Sequence, residues 1–286
     1  MKIAIFGMGL IGGSLGRAIL KFTDNEVFGF DIDKSALQKA DLLGAQTRSL
    51  DFENDMRDVD MAIFALCPRV AIESMKNVVP QLKDGAIVMD ICGNKRIVVD
   101  EMVELEKQFP NLFFIGTHPM AGREFSGIAH SSANLFENAY IVLTPVSQDI
   151  AKLSTVKNLF LKLGANDVEI CSADKHDEMI AYTSQLAHIV SSSYVKNGHS
   201  SGHAGFSAGS FRDLTRVAKL DPNMWAELFI ENSDNLVGDI DEIIKHLQEY
   251  RDAIADGDEE RLKALLADGV KQKEAAETAR KNRLKD

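Results

Sequence analysis

Short runs of apolar, β-branched and aromatic residues recur along the first part of the chain, separated by segments whose apolar residues fall at helical spacing. Lys2 to Phe6, Glu26 to Asp31, Met61 to Leu66, Ala86 to Asp90, Leu112 to Gly116, Ala139 to Thr144 and Asp167 to Cys171 read as strands. Between the first two, Ile11, Leu15, Ala18 and Ile19 set one apolar face on a helix over Gly12 to Leu20. Strands alternating with helices imply crossover connections, so the pattern predicts an α/β fold with a mostly parallel sheet. From Ala173 onward the strand pattern stops and the chain reads as consecutive helices. One is announced by Asp221-Pro222, a capping carboxylate followed by proline at the first helical position. The predicted domains are therefore residues 1–172, built on the sheet, and residues 173–286, all helical, with no Gly/Ser-rich linker between them.

Composition narrows the class without choosing a function. With 286 residues, 45% hydrophobic and 26% charged, the chain reads as an ordinary globular protein large enough for more than one core. The formal charge of -11 repels nucleic acid and anionic membrane surfaces, so neither is an expected partner. An anionic small substrate would need a local cationic cluster. Cys67, Cys92 and Cys171 are far apart and lack metal-type spacing, which argues against a disulfide framework or a zinc site and suits a reducing cytoplasm. The apolar start Met1 to Phe6 is too short for a signal-peptide core.

The first candidate site follows the first strand directly. Gly7-Met8-Gly9-Leu10-Ile11-Gly12 opens a helix: Gly7 suits a tight turn, Gly9 a close backbone approach to a pyrophosphate, and Gly12 close helix packing. The backbone N–H groups of Leu10, Ile11 and Gly12 would then face the anion at the positive end of the helix. Asp31, about twenty residues on, is placed to accept hydrogen bonds from both ribose hydroxyls and to repel a 2'-phosphate, so NAD is the expected cofactor. Asp33 competes for that role. A tight turn in a non-binding domain is the plainer alternative.

Three further segments carry candidate chemistry. His118, in Thr117-His118-Pro119-Met120-Ala121-Gly122, sits just past the predicted fifth strand, at the sheet edge where ligands of open α/β folds bind. An imidazole there can take the proton of a substrate hydroxyl, although a histidine in a loop also serves as a structural hydrogen-bonder. In the predicted helix Asp177 to Val195, Asp177, Ser184, His188 and Ser191 form a polar stripe that either faces solvent or lines a wet cavity, while Met179, Leu186 and Val190 are apolar. Arg212 and Arg216 stand four apart and share a helix face, so the pair either grips a dicarboxylate or is a solvated basic face neutralised by nearby acids. Trp225 reads as core packing or as one wall of a pocket.

Taken together these segments resemble the prephenate and arogenate dehydrogenase family along nearly the whole chain. The resemblance rests on Gly7-Met8-Gly9-Leu10-Ile11-Gly12-Gly13-Ser14, on His118-Pro119-Met120-Ala121-Gly122, on His176-Asp177-Glu178 through His188, and on Thr215-Arg216-Val217-Ala218 followed by Asp221-Pro222 and Met224-Trp225. It implies a Rossmann-type domain followed by an all-α dimerisation domain, and NAD-dependent oxidative decarboxylation of prephenate, or of arogenate as the alternative. By the same resemblance His118 is the base, His188 helps to hold and orient the substrate, Arg216 binds a substrate carboxylate with Arg212 beside it, and the chain is a homodimer. One departure stands out. Many family members carry serine in an Asp-x-Gly-Ser-x-Lys motif, whereas this chain reads Asp90-Ile91-Cys92-Gly93-Asn94-Lys95, with Gly93 at the substrate-side position and Asn94 or water left to substitute. A hydroxyacid dehydrogenase or imine reductase of similar architecture would instead place a lysine at the reacting centre, for which Lys95 is the candidate. A silent NAD-sensing dimer would have no use for His118.

Overall fold

Along the central strands, successive side chains enter opposite apolar layers. In the first, β1 (Lys2–Phe6), Ile3 and Ile5 join one layer and Ala4 and Phe6 the other. Met61 and Ile63 oppose Ala62 and Phe64 in the same way, as do Phe113 and Ile115 about Phe114. A sheet buried on both faces is what crossover helices on both sides produce. The computed structural model describes residues 1–123 and 125–283.

After β1 come α1 (Leu10–Phe22), β2 (Glu26–Phe30), α2 (Lys34–Leu42), β3 (Arg48–Ser49), β4 (Met61–Phe64), α3 (Pro68–Val78), β5 (Ile87–Asp90), α4 (Arg96–Gln108), β6 (Phe113–Pro119), β7 (Tyr140–Pro145), α5 (Ile150–Lys162) and β8 (Asp167–Ile170). They form one 8-stranded sheet in the order β3-β2-β1-β4-β5-β6-β7-β8. Every pairing is parallel except β6 with β7. The order reverses between β1 and β4, which opens a crevice at the carboxyl ends of these strands. Four helices follow: α6 (Ala173–Ile180), α7 (Leu186–Val195), α8 (Gly209–Thr215) and α9 (Pro222–Glu231). The last is capped by Asp221, which accepts from the amides of Asn223 and Met224, with Pro222 in the first turn as expected.

By compactness the chain divides into Met1–Ser233 and Asp234–Asp286. The second unit comprises most of α10 (Ser233–Ala255) and α11 (Glu259–Arg283), reversed at Gly257 (φ 67°), with the Tyr250 hydroxyl donating to the Leu265 carbonyl at 3.1 Å. Among the described residues no helix is long and apolar enough to cross a membrane.

The structure departs from the sequence expectations in three places. β3 was not expected: its two residues are exposed and polar, so no alternation marks it. β6 runs on to Pro119 because β7 pairs with it in antiparallel fashion, His118 opposite Val142 and Pro119 opposite Ile141; His118 therefore ends a strand and does not follow it. The single helix expected over Asp177 to Val195 is interrupted by a π-helical turn at Ala181–Gln185.

Candidate active site

At the β1–α1 turn the backbone is set up for an anion. Gly7 has φ 95°, and a Cβ on Gly12 would lie 1.9 Å from the Gly7 carbonyl oxygen, so both positions require glycine. A Cβ on Gly9 would meet nothing within 4 Å, which leaves that side of the turn open to a ligand. No side chain caps α1, and its first turn holds no acidic residue. The N–H groups at Leu10 and Ile11 thus keep the positive end of the helix available for a pyrophosphate. Asp31 faces this turn, accepting from the Met8 amide at 2.8 Å and from the Asp33 amide at 2.9 Å. Asp33 is occupied differently, as the N-cap of α2 through the Ser35 amide at 2.8 Å. The turn fits a dinucleotide.

A second cluster joins the carboxyl ends of β5 and β6 to α6. His118 Nδ1 lies 2.8 Å from His176 Nε2, and His176 Nδ1 lies 2.7 Å from Asp177 Oδ1. A carboxylate only accepts, so His176 carries its proton on Nδ1 and accepts at Nε2. His118 must then donate from Nδ1, which leaves the Nε2 lone pair free. Asp177 is fixed in turn: the backbone amides of Lys95 and Arg96 donate to its two oxygens at 2.7 and 2.9 Å, making it a cap for α4 supplied from another helix. Burial pushes the Asp177 carboxyl up, but the His176, Arg96 and Lys95 hydrogen bonds outweigh it and hold the pKa below the usual value. Burial lowers His176 and, together with His176 and the Lys95 ammonium, holds His118 well below the ordinary imidazole range. Both rings are neutral near pH 7.

Most of the surrounding polar groups are hydrogen-bonded; among the described residues, the buried Thr117 hydroxyl and Glu231 Oε1 are not. Lys95 and Asp90 form an ion pair with both side chains 0% exposed, and Asp90 also accepts from the Cys92 and Thr117 amides at 2.8 and 3.1 Å. Asn94 donates to the Leu228 carbonyl at 2.8 Å and accepts from Gln185 at 2.9 Å. Asn232 donates to the Asp177 carbonyl and to Gln185 Oε1, both at 2.9 Å. The π-helical turn is the reason Gln185 enters this network: its extra residue shifts the register, so Gln185 is buried and Ser184 is not. The expected stripe is altered accordingly, and Met179 on the expected apolar side is 44% exposed. Asn94, expected as a possible stand-in for the family serine, is committed to Leu228 and Gln185; the imidazole partner of His118 is His176. A Cβ on Gly93 would meet Leu228 at 3.4 Å, ordinary contact, so a small side chain would fit there.

The third cluster lies on α7 and α9. His188 Nδ1 donates to the Val217 carbonyl at 3.0 Å and its ring centroid is 4.0 Å from that of Trp225, which itself contacts Phe229 at 5.4 Å. Burial lowers the His188 pKa, Val217 opposes this, and the nearby Arg216 charge adds to it. Arg216 is the exposed C-cap of α8. Arg212 is 82% exposed, with Asp213 3.5 Å away. The structure thus brings together His188, Arg216 and Trp225, and separately His118, His176 and Asp177; α6–α7 and α9 contribute to both clusters.

Family comparison bears on these clusters. Residues 15–169 match the prephenate dehydrogenase nucleotide-binding domain, and residues 172–268 match the prephenate dehydrogenase dimerization domain. The chain belongs to the prephenate dehydrogenase family. It is an oxidoreductase with a nucleotide-binding domain. Prephenate dehydrogenase of Lactococcus lactis subsp. cremoris is 32% identical over 96% of this chain and 77% of its own length. Cyclohexadienyl dehydrogenase of Zymomonas mobilis is 30% identical over 90% of each chain. The crystal structure of Aquifex aeolicus prephenate dehydrogenase in complex with hydroxyphenyl propionate and NAD+ superposes with a TM-score of 0.81 at 27% identity, over 96% of this chain and 98% of that one.

Sequence reasoning missed Gln185 and Asn232, placed Asp177 only as one member of a polar stripe, and saw His176 only as part of the resemblance. An adjacent His–Asp pair at a helix start, followed by a polar residue off the helical register, was the available signal.

Proposed function

We propose that this enzyme oxidises and decarboxylates prephenate, using His118 as the base, and releases 4-hydroxyphenylpyruvate and carbon dioxide. The observation that carries the assignment is the hydrogen-bond chain from Asp177 through His176 to His118, which leaves His118 Nε2 as a free lone pair at the carboxyl edge of the sheet. A neutral imidazole so oriented takes the proton of the ring hydroxyl. The nicotinamide, when bound, accepts the two electrons and the hydrogen lost from the ring carbon. With that carbon oxidised, the ring carboxylate leaves as carbon dioxide and the ring becomes aromatic.

The remaining assignments divide between the two ends of the site. Gly7, Gly9, Gly12 and the amides of Leu10 and Ile11 receive the pyrophosphate, and Asp31 receives the adenosine ribose, since Asp33 is spent on capping α2. Arg216 pairs with a substrate carboxylate; His188, its Nδ1 held by Val217 and its face by Trp225, presents Nε2 to the same ligand. Gly93 leaves room on the substrate side. Arg212, already beside Asp213, adds positive field and not a fixed contact. Lys95 is no catalytic lysine: its ammonium is buried against Asp90, which disfavours the hydroxyacid dehydrogenase and imine reductase alternatives.

The enzyme is read as a homodimer through its helical part. Val237, Ile244, Leu247 and Ile254 are exposed along one face of α10, an apolar stripe of the kind that a second copy covers. The free thiols of Cys67, Cys92 and Cys171 support a cytoplasmic setting. The experiment that tests the function is NADH formation measured side by side with prephenate and arogenate. Turnover of prephenate is expected; no turnover of either substrate overturns the assignment, and exclusive turnover of arogenate replaces the substrate.

A further inference from the structure

His118 is a poor place to leave a positive charge. Its hydrogen-bond partner is an imidazole, and the Lys95 ammonium occupies the same polar core. One hydrogen bond further in, His176 has what His118 lacks, a carboxylate oxygen at 2.7 Å, held in place by two backbone amides. We propose that His176 completes the base by accepting the Nδ1 proton of His118 as His118 Nε2 takes the substrate's hydroxyl proton, so that the charge comes to rest between His176 and Asp177. The inference depends on His118 being the base.

Each proton is accounted for. The substrate O–H bond breaks and an N–H bond forms at His118 Nε2; the N–H bond at His118 Nδ1 breaks and one forms at His176 Nε2. The proton on His176 Nδ1 stays in its bond to Asp177 Oδ1, and Asp177 remains ionised. No electrons change hands along the chain. His118 emerges neutral in its opposite tautomer and returns when His176 gives up its proton. The order of basicity fits this direction, because burial and Lys95 hold His118 well below the ordinary range while Asp177 offsets part of the same penalty at His176. His176 is therefore a positioning residue that acts through His118.

The test uses the full-length enzyme. His176→Gln keeps a hydrogen-bonding side chain of similar reach that cannot carry a proton, and should lower kcat roughly 10- to 100-fold with NAD binding retained. Its pH profile separates a relay from mere support. The groups facing His176 are Asp177 and Arg96 beside it, Asp90 and Lys95 from the β5–α4 connection, and His118 from β6. In the wild type, activity falls in acid when His176 is already protonated and cannot accept; without His176 the fall follows His118 alone, so the acid limb should move to lower pH. A folded H176Q enzyme with unaltered kcat, or with reduced kcat and an unmoved limb, overturns the proposal. A measurement on the wild type guards against misfolding of the variant: nitrogen-15 histidine spectra should show the resting His118 protonated at Nδ1, and protonation at Nε2 overturns the relay. If His118→Asn retains full activity, it is the base assignment that has failed; if it is inactive while H176Q is unimpaired, only the relay has.

Discussion

At His118 each hydrogen-bonded partner is buried and bonded again, from His176 to Asp177 and from Asp177 to the amides that start α4. At Arg212 and Arg216 the side chains end α8 on the surface, one of them 82% exposed beside Asp213. The two regions face opposite demands. Proton transfer needs a lone pair aimed to within tenths of an ångström, which a buried, hydrogen-bonded network provides. Capturing an anion against a net charge of -11 needs positive field that reaches into water, and exposed guanidinium groups provide that. Substitutions in the buried region should therefore change kcat or stability, and those in the exposed region should change KM.

The largest expected effect is at the base. His118→Asn should lower turnover by roughly 10²- to 10⁴-fold with little change in NAD affinity. A steady-state comparison checks this, and a variant altered mainly in KM would erase the contrast. Next is the ion pair beneath it. Lys95→Met strands the Asp90 carboxylate in a fully enclosed site and should cost about 3–5 kcal/mol of stability, read from denaturant unfolding. A loss below about 1 kcal/mol would mean that water reaches the pair.

Arg216→Ala, on the exposed side, should raise the Michaelis constant for the substrate about tenfold or more while kcat holds, because a charge-assisted contact to a carboxylate is lost. Arg212→Ala should do the same more weakly, through its field alone. Equal effects would mean that both guanidinium groups touch the ligand.

How much of this was legible in the sequence follows from the range of each interaction. The glycine turn was readable because Gly7, Gly9 and Gly12 act within one turn and Asp31 returns to Met8 across a single β-α-β step. The strands were readable because burial on both faces writes itself into the composition. The network around Asp177 was not: its bonds join residues 82, 91 and 136 positions apart, and the π-helical turn breaks the periodicity that would have pointed to Gln185. The Arg212 and Arg216 spacing was visible, and so was the need to offset it; Asp213, adjacent in sequence, does so.

A smaller effect concerns pH and sharpens the same contrast. His118 and His176 have pKa values lowered by burial in the folded protein, whereas the unfolded chain binds protons near the ordinary value of about 6.5. Below that pH the unfolded state takes up protons that the folded state refuses, so stability declines as the pH falls, by up to about 1.4 kcal/mol per unit for each such histidine. Asp177, whose pKa is depressed, contributes stability that is lost only at much lower pH, as its carboxylate protonates. Melting temperatures should therefore drop between neutral and mildly acid pH in the wild type and drop less in His176→Gln, whereas Arg212→Ala should follow the wild-type curve. Parallel curves for all three proteins would mean that the inner imidazole is hydrated in the folded state, and the distinction between a dry proton-handling region and a wet anion-capturing one would no longer hold.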